Sequence, residues 1–289
     1  MSCQKTLALP QLRSSRKCKG KRMFNDLDFL MPQIRDSMQK IYSYLNDTRV
    51  YVDIGCQFPE STPSISSNQI QNSKCTLLFD PRSLYCTLNK DSYGNLKNVS
   101  IDECFITPSN INEKIYKPLK DKGLLEEIFL IDVDIDGYDF YIAKSLIDHG
   151  LRPLILSVEI NEKIPPPIKF SVLYSDKYTG SDKHFYGASI SKMEELTAMG
   201  YDMIQLFFNC LILIRRDSNP FYSDKSKYKM FKPRTAAELY KIQYLDVGFH
   251  RLVDYNQDVL HWQNNNIDNT IKCINEHFLS HVGEYEIYK

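Results

Sequence analysis

Several features that would narrow a function at once are missing from this sequence. Net charge is absent, with 36 Lys and Arg against 36 Asp and Glu. The chain therefore lacks the basic excess that neutralises phosphates, and nucleic acid is not expected as an obligatory partner. No apolar run approaches the roughly 18 residues of a spanning helix, so no membrane span is expected. TLALP, cut short by Pro10, is too brief for a signal-peptide core, which makes a cytoplasmic protein the expectation. The eight cysteines, at 3, 18, 56, 75, 86, 104, 210 and 273, show no CxxC or CxH spacing. They read as reduced thiols packed as small hydrophobes, without zinc. SxxK, GxSxG and HExxH are also missing, which removes the familiar signatures of nucleophilic and zinc hydrolysis.

What is present is an ordinary globular composition, 289 residues with 43% hydrophobic and 25% charged. Residues 1–22 hold Lys and Arg but no acid, and read as a flexible basic tail. Phe24, Leu27, Leu30, Ile34, Met38, Ile41 and Leu45 fall near helical spacing, with a break or kink expected at Pro32. RVYVDIG, KCTLLFDP, NVSIDECFI, EEIFLIDVDI and RPLILSVEIN read as five strands, separated by helical segments such as SLYCTLNKDSYG and YDFYIAKSLIDHG. That alternation predicts an α/β fold with a mostly parallel sheet and helices on both faces. PPPIKFSVLYSDKYTGSDKHF reads as a long lid or binding loop. GASISKMEELTAMG is expected to be one helix, with Ser191 and Glu194 as its capping box. YDMIQLFFNCLILIRRD gives two strands around Asn209 and hence an antiparallel edge. The expected organisation is a tail at 1–22, a Rossmann-like domain with its preceding helix at 23–217, and a helical extension at 218–289. Oligomeric state is not legible.

The segment LIDVDIDGYDF contains DxDxDG, the opening of a calcium-binding EF-hand loop, at Asp132, Asp134 and Asp136. Such a loop needs a bidentate Glu at its twelfth position, which here is Ala143, and a helix leading in, where this chain has a strand. The acids must serve something else. In an open parallel sheet, ligands gather outside the carboxyl ends of the strands, and acids end every strand here. Asp53 closes the first, Asp80 the second, Asp102 and Glu103 the third, Asp132 to Asp136 the fourth and Glu159 the fifth. A carboxylate ending the second strand is the usual acceptor for a ribose diol, which singles out Asp80. GxGxxG is absent after the first strand, so no pyrophosphate cradle is expected. A cationic nucleoside cofactor, S-adenosylmethionine, suits such an acidic crevice.

YVDIG at 51–55, LLFDP at 77–81 and DVDIDGYD at 132–139, followed by SVEIN and YGASISKMEEL up to FNCLILIRRD, resemble the FkbM-type class I methyltransferases dependent on S-adenosylmethionine. The likeness covers 49–217. It implies a Rossmann-like class I methyltransferase sheet and cofactor contacts from Asp53, Gly55, Cys56, Asp80, Pro81 and Asp132. It also implies O-methylation of a sugar, glycan or other small polyhydroxylated acceptor. Proton removal from that acceptor would fall to Asp134, Asp136, Glu159 or His184, the last lying in the expected lid loop. Crowding of Asp132, Asp134 and Asp136 on one strand face would raise a carboxyl pKa or bind a divalent metal, magnesium or calcium. The chain departs from the family after DIG, where Cys56, Gln57, Phe58 and Pro59 replace a small residue and a second glycine. That bulk keeps a second reading open, a degenerate methyltransferase-like binding or interaction module.

Overall fold

The computed structural model describes residues 35–45, 47, 49–59, 64–176, 184–246, 254–263 and 266–289. The basic tail, the positions Phe24, Leu27, Leu30 and Ile34, and the stretch 177–183 of the expected lid lie outside the described residues. After helical turns at 35–42 (α1), the five expected strands form as β1 Val50–Ile54, β2 Cys75–Asp80, β3 Val99–Glu103, β4 Ile128–Val133 and β5 Ile155–Glu159. Helices α2 Ser67–Gln71, α3 Ser83–Tyr93, α4 Lys117–Asp121 and α5 Asp139–Asp148 cross between successive strands, so all five run parallel. A hairpin of β7 Tyr201–Phe207 and β8 Cys210–Arg215 completes a seven-stranded sheet in the order β3-β2-β1-β4-β5-β8-β7. Strand β8 runs antiparallel to both neighbours and gives the sheet its antiparallel edge.

Alternate residues of each strand feed two cores. Val52, Ile54, Ile131, Val133, Leu156 and Val158 pack on one face with Ile142 and Leu146 of α5. Tyr51, Leu78, Leu130, Ile155 and Ile212 pack on the other, with Met38, Ile41 and Tyr42 of α1 and with Ile65 and Ile70 beside α2. Helices therefore cover both faces, as the uninterrupted apolar strands require. The polar segment SISSNQIQN still makes a packed helix, because Ser66 and Gln69 close a capping box while Ile65 and Ile70 enter the core.

Two expectations are corrected here. The proline-rich stretch is not all loop: Lys169–Val172 forms β6, which pairs antiparallel with β9, Tyr285–Tyr288, at the far end of the chain. Residues 218–289 are thus not purely helical. Besides α8 Ala236–Tyr240 and α9 Ile267–His277, they supply a strand that local periodicity did not mark. The second correction concerns Ser191, which is buried inside the helix it was expected to cap. Ser189 is the N-cap, its hydroxyl accepting from Lys192 N while donating to Ile168 O at 2.7 Å and accepting from Phe170 N at 3.0 Å. That tie to β6 fixes where the helix starts, and the helix itself divides into α6 Ile190–Met193 and α7 Glu195–Ala198.

Candidate functional site

Strand order reverses between β1 and β4, since β2 and β3 lie to one side of β1 and β5 to the other. A crevice at the carboxyl ends follows from such a switch, because the two adjoining loops leave in opposite directions. Asp53 of β1 faces Asp132 of β4 across that point, and Ser157 of β5 continues the row. Gly55 lets the loops approach. Its φ is +96°, and a Cβ there would stand 1.7 Å from the Asp134 carbonyl oxygen. Gly55, expected as a cofactor contact, gives its open side to the backbone that follows β4.

Asp80 is fully buried at the end of β2, and its oxygens are occupied. Arg82 grips both, Nε to Oδ1 at 2.8 Å and Nη2 to Oδ2 at 2.7 Å, while the backbone N–H groups of Arg82 and Gln57 donate as well. The guanidinium also covers the Tyr85 ring at 4.3 Å, and its charge reaches Asp136. As a ribose acceptor, Asp80 must exchange this half-exposed guanidinium for a diol. Pro81 follows in the bend into α3.

The acids of β4 and β5 do not gather as the period-two spacing predicted. Asp132 turns to the Ser157 and Ser64 hydroxyls, which offset part of the burial that pushes its carboxyl up to about 6. The crowded set is Asp134, Asp136 and Glu159, whose nearest oxygens all lie within 4.8 Å of one another. Asp136 leaves the strand row because its backbone is left-handed, φ 52°, a conformation aspartate tolerates. Glu159, only 6% exposed, enters from β5 and takes the place that Asp132 was expected to fill. Its Oε1 accepts from Asn209 Nδ2 at 2.7 Å, while Oε2 is buried without a hydrogen-bond partner among the described residues. Burial, then the neighbouring carboxylates, push both Asp134 and Glu159 well above the ordinary carboxyl range. Burial raises Asp136 too, against the pull of Arg82 and Lys163.

No family model matches the chain. No curated protein matches it either. The chemistry of the crevice is set by its own side chains, and several sit differently from expectation. Cys56 is buried in a core beside Asn89, which approaches its Sγ at 3.7 Å, so its thiol packs as a small hydrophobe. His184 is corrected as a candidate base: it lies 3% exposed against His277 and Trp262, with ring centroids 5.3 and 6.3 Å away, in the core formed by the C-terminal segment. Asp139, in the first turn of α5, folds back to accept from Ile135 N at 2.8 Å and Gly137 N at 2.9 Å. It thereby clamps the loop that carries Asp136. Asp102 leaves the crevice for Lys114 at 2.9 Å.

Four contributors gave no local signal. Arg82 reads as a surface cation and Asn209 as a turn residue, yet they bind Asp80 and Glu159. Lys163 and Glu162 are both fully buried just beyond β5, and share the Tyr186 hydroxyl at 2.6 Å each. Tyr240 and Gln263 close this network through the backbone carbonyls of Glu162 and Lys163. Only three-dimensional proximity joins these residues.

Proposed function

We propose that this chain transfers a methyl group from S-adenosylmethionine to an oxygen of a small polyhydroxylated acceptor. The observation that carries the reading is a row of buried carboxylates, Asp53, Asp80, Asp132 and Glu159, ending adjacent strands at the switch point of a mostly parallel sheet. Acids outnumber the cations Arg82 and Lys163 in that crevice, so it favours a cationic ligand and disfavours a phosphate-bearing one. The absence of a glycine-rich turn after β1 agrees, because Gly55 is spent on the contact with Asp134. The donor set fits the cofactor once Arg82 releases Asp80: its two oxygens would then accept from a diol, and Asp53 and Asp132 offer negative charge to a sulfonium and an ammonium.

When bound, S-adenosylmethionine supplies a methyl carbon on a cationic sulfur, which passes to the acceptor oxygen as the bonding pair stays with sulfur. The protein's part is positioning and proton removal. Asp80 fixes the nucleoside once Arg82 yields. On this reading a carboxylate of the Asp134, Asp136 and Glu159 group, on the β4–β5 side, takes the proton of the acceptor hydroxyl, and the raised proton affinity of these groups suits that task. Asn209 orients Glu159 by donating to Oε1 at 2.7 Å.

Calorimetric titration with S-adenosylmethionine and S-adenosylhomocysteine tests the reading. Wild type binds both on this account, and Asp80→Ala weakens both by at least about tenfold, as loss of charge-assisted hydrogen bonds entails. Absence of binding to wild type sinks the assignment, and unchanged binding by Asp80→Ala removes the ribose role.

A further inference from the structure

Glu159 and Asp134 crowd together, and among the described protein groups only a proton shared between the two carboxyls offsets their repulsion. Both are carboxylates at the crevice, and among the described residues no Lys, Arg or His pairs with either. Glu159 is nine-tenths buried, and its Oε2 has no hydrogen-bond partner among the described residues. Two ionised carboxylates side by side repel, and a buried acceptor without a donor is destabilising. A ligand carrying positive charge relieves both.

We propose that Asp134, Asp136 and Glu159 hold one hard divalent cation at the carboxyl ends of β4 and β5. Three carboxylate oxygens are the chemistry that magnesium, manganese and calcium select, with the remaining positions left to water or substrate. The spacing suits a single ion. Two oxygens on one ion lie no farther apart than twice the metal–oxygen bond, about 4.6–5.2 Å for calcium and about 4.2 Å for magnesium. Separations within 4.8 Å lie close to these limits, and a modest contraction of the three side chains brings all three oxygens onto one ion, less for calcium than for magnesium.

The DxDxDG segment thus carries a cation without an EF-hand loop. Its Asp132 is withdrawn to Ser64 and Ser157, and the carboxylate missing at Ala143 arrives from the neighbouring strand as Glu159. Asn209 holds one Glu159 oxygen at 2.7 Å, the kind of supporting contact found beside metal-binding carboxylates. Open coordination positions define an acceptor class, which rests on the methyl-transfer reading: molecules presenting two adjacent oxygens, such as a vicinal diol, that chelate the ion.

The test follows manganese(II) by electron paramagnetic resonance, titrating it into wild type, Glu159→Gln, Asp134→Asn and Asp102→Asn. Wild type and Asp102→Asn each take up one ion, displaced by calcium. Glu159→Gln and Asp134→Asn bind at least about 100-fold more weakly, because charge count dominates affinity for hard cations. Manganese should raise the thermal midpoint of wild type and leave that of folded Glu159→Gln unchanged, which separates a lost site from a lost fold. The proposal is overturned by a wild type without a stoichiometric site, or by a Glu159→Gln that binds like wild type. Calorimetry with S-adenosylmethionine in chelator is read beside it. Cation uptake without cofactor binding leaves the metal site standing and sinks methyl transfer, while the converse does the opposite.

Discussion

Gly55 and Arg82 show how single residues set the crevice. Any side chain at position 55 must enter the Asp134 carbonyl while adopting φ +96°, two costs that compound. Gly55→Ala should lose more than about 4 kcal/mol, placing it in the severe class of point substitutions. Chemical denaturation checks this, and a midpoint within error of wild type would contradict it. Arg82 is half exposed over a fully buried Asp80 whose two backbone donors remain when the guanidinium is gone. Arg82→Ala should therefore cost only about 1–2 kcal/mol of stability. If Asp80 takes a ribose diol, Arg82 competes for it, and the same variant should then bind S-adenosylmethionine at least as tightly as wild type. A large loss of affinity would show that Arg82 holds the ligand itself.

At the scale of elements, the C-terminal strand and the acidic loop each make a prediction. Strand β9 covers β6, and with α9 it brings Phe278, Tyr285 and Ile287 against Phe170. Truncation after Gly283 should raise hydrogen exchange at 169–172 selectively and leave β1 to β5 protected. Equal exchange in both proteins would contradict that role. In the β4–α5 loop, burial raises Asp139 to about 7, against the backbone donors Ile135 and Gly137, and burial raises Asp132 to about 6. A carboxyl whose folded pKa exceeds its unfolded value of about 3.9 binds its proton more tightly in the native state. Its contribution favours folding at low pH and is lost as pH rises towards the folded value. The metal-free protein should therefore gain thermal midpoint as pH falls from about 8 to about 6, and Asp139→Asn should flatten that slope. An unchanged slope in Asp139→Asn would contradict it.

Across the whole molecule, the parallel sheet was readable because β1, β2, β4 and β5 are apolar runs ending in acids, a pattern carried within each segment. The hairpin was readable for the same reason, with Asn209 marking its turn. Strand β9 was not, because its partner lies more than a hundred residues away and YEIY has no pattern that names β6. Half of the candidate site was likewise local: Asp53, Asp80, Asp134, Asp136 and Glu159 were all nominated by position at strand ends. The regrouping was not, since the left-handed turn at Asp136 and the Ser64 and Ser157 hydroxyls on Asp132 exist only once the strands have been assembled. His184 failed for the converse reason, as its burial partners Trp262 and His277 belong to the last thirty or so residues. The central claim, a cationic nucleoside held at the β1–β4 switch point, is tested most directly by photocrosslinking methyl-labelled S-adenosylmethionine to wild type and mapping the labelled peptides. Label is expected within 53–58, 80–85 or 132–139, suppressed by excess S-adenosylhomocysteine. Label that excess does not suppress, or label confined to 254–289, would contradict it.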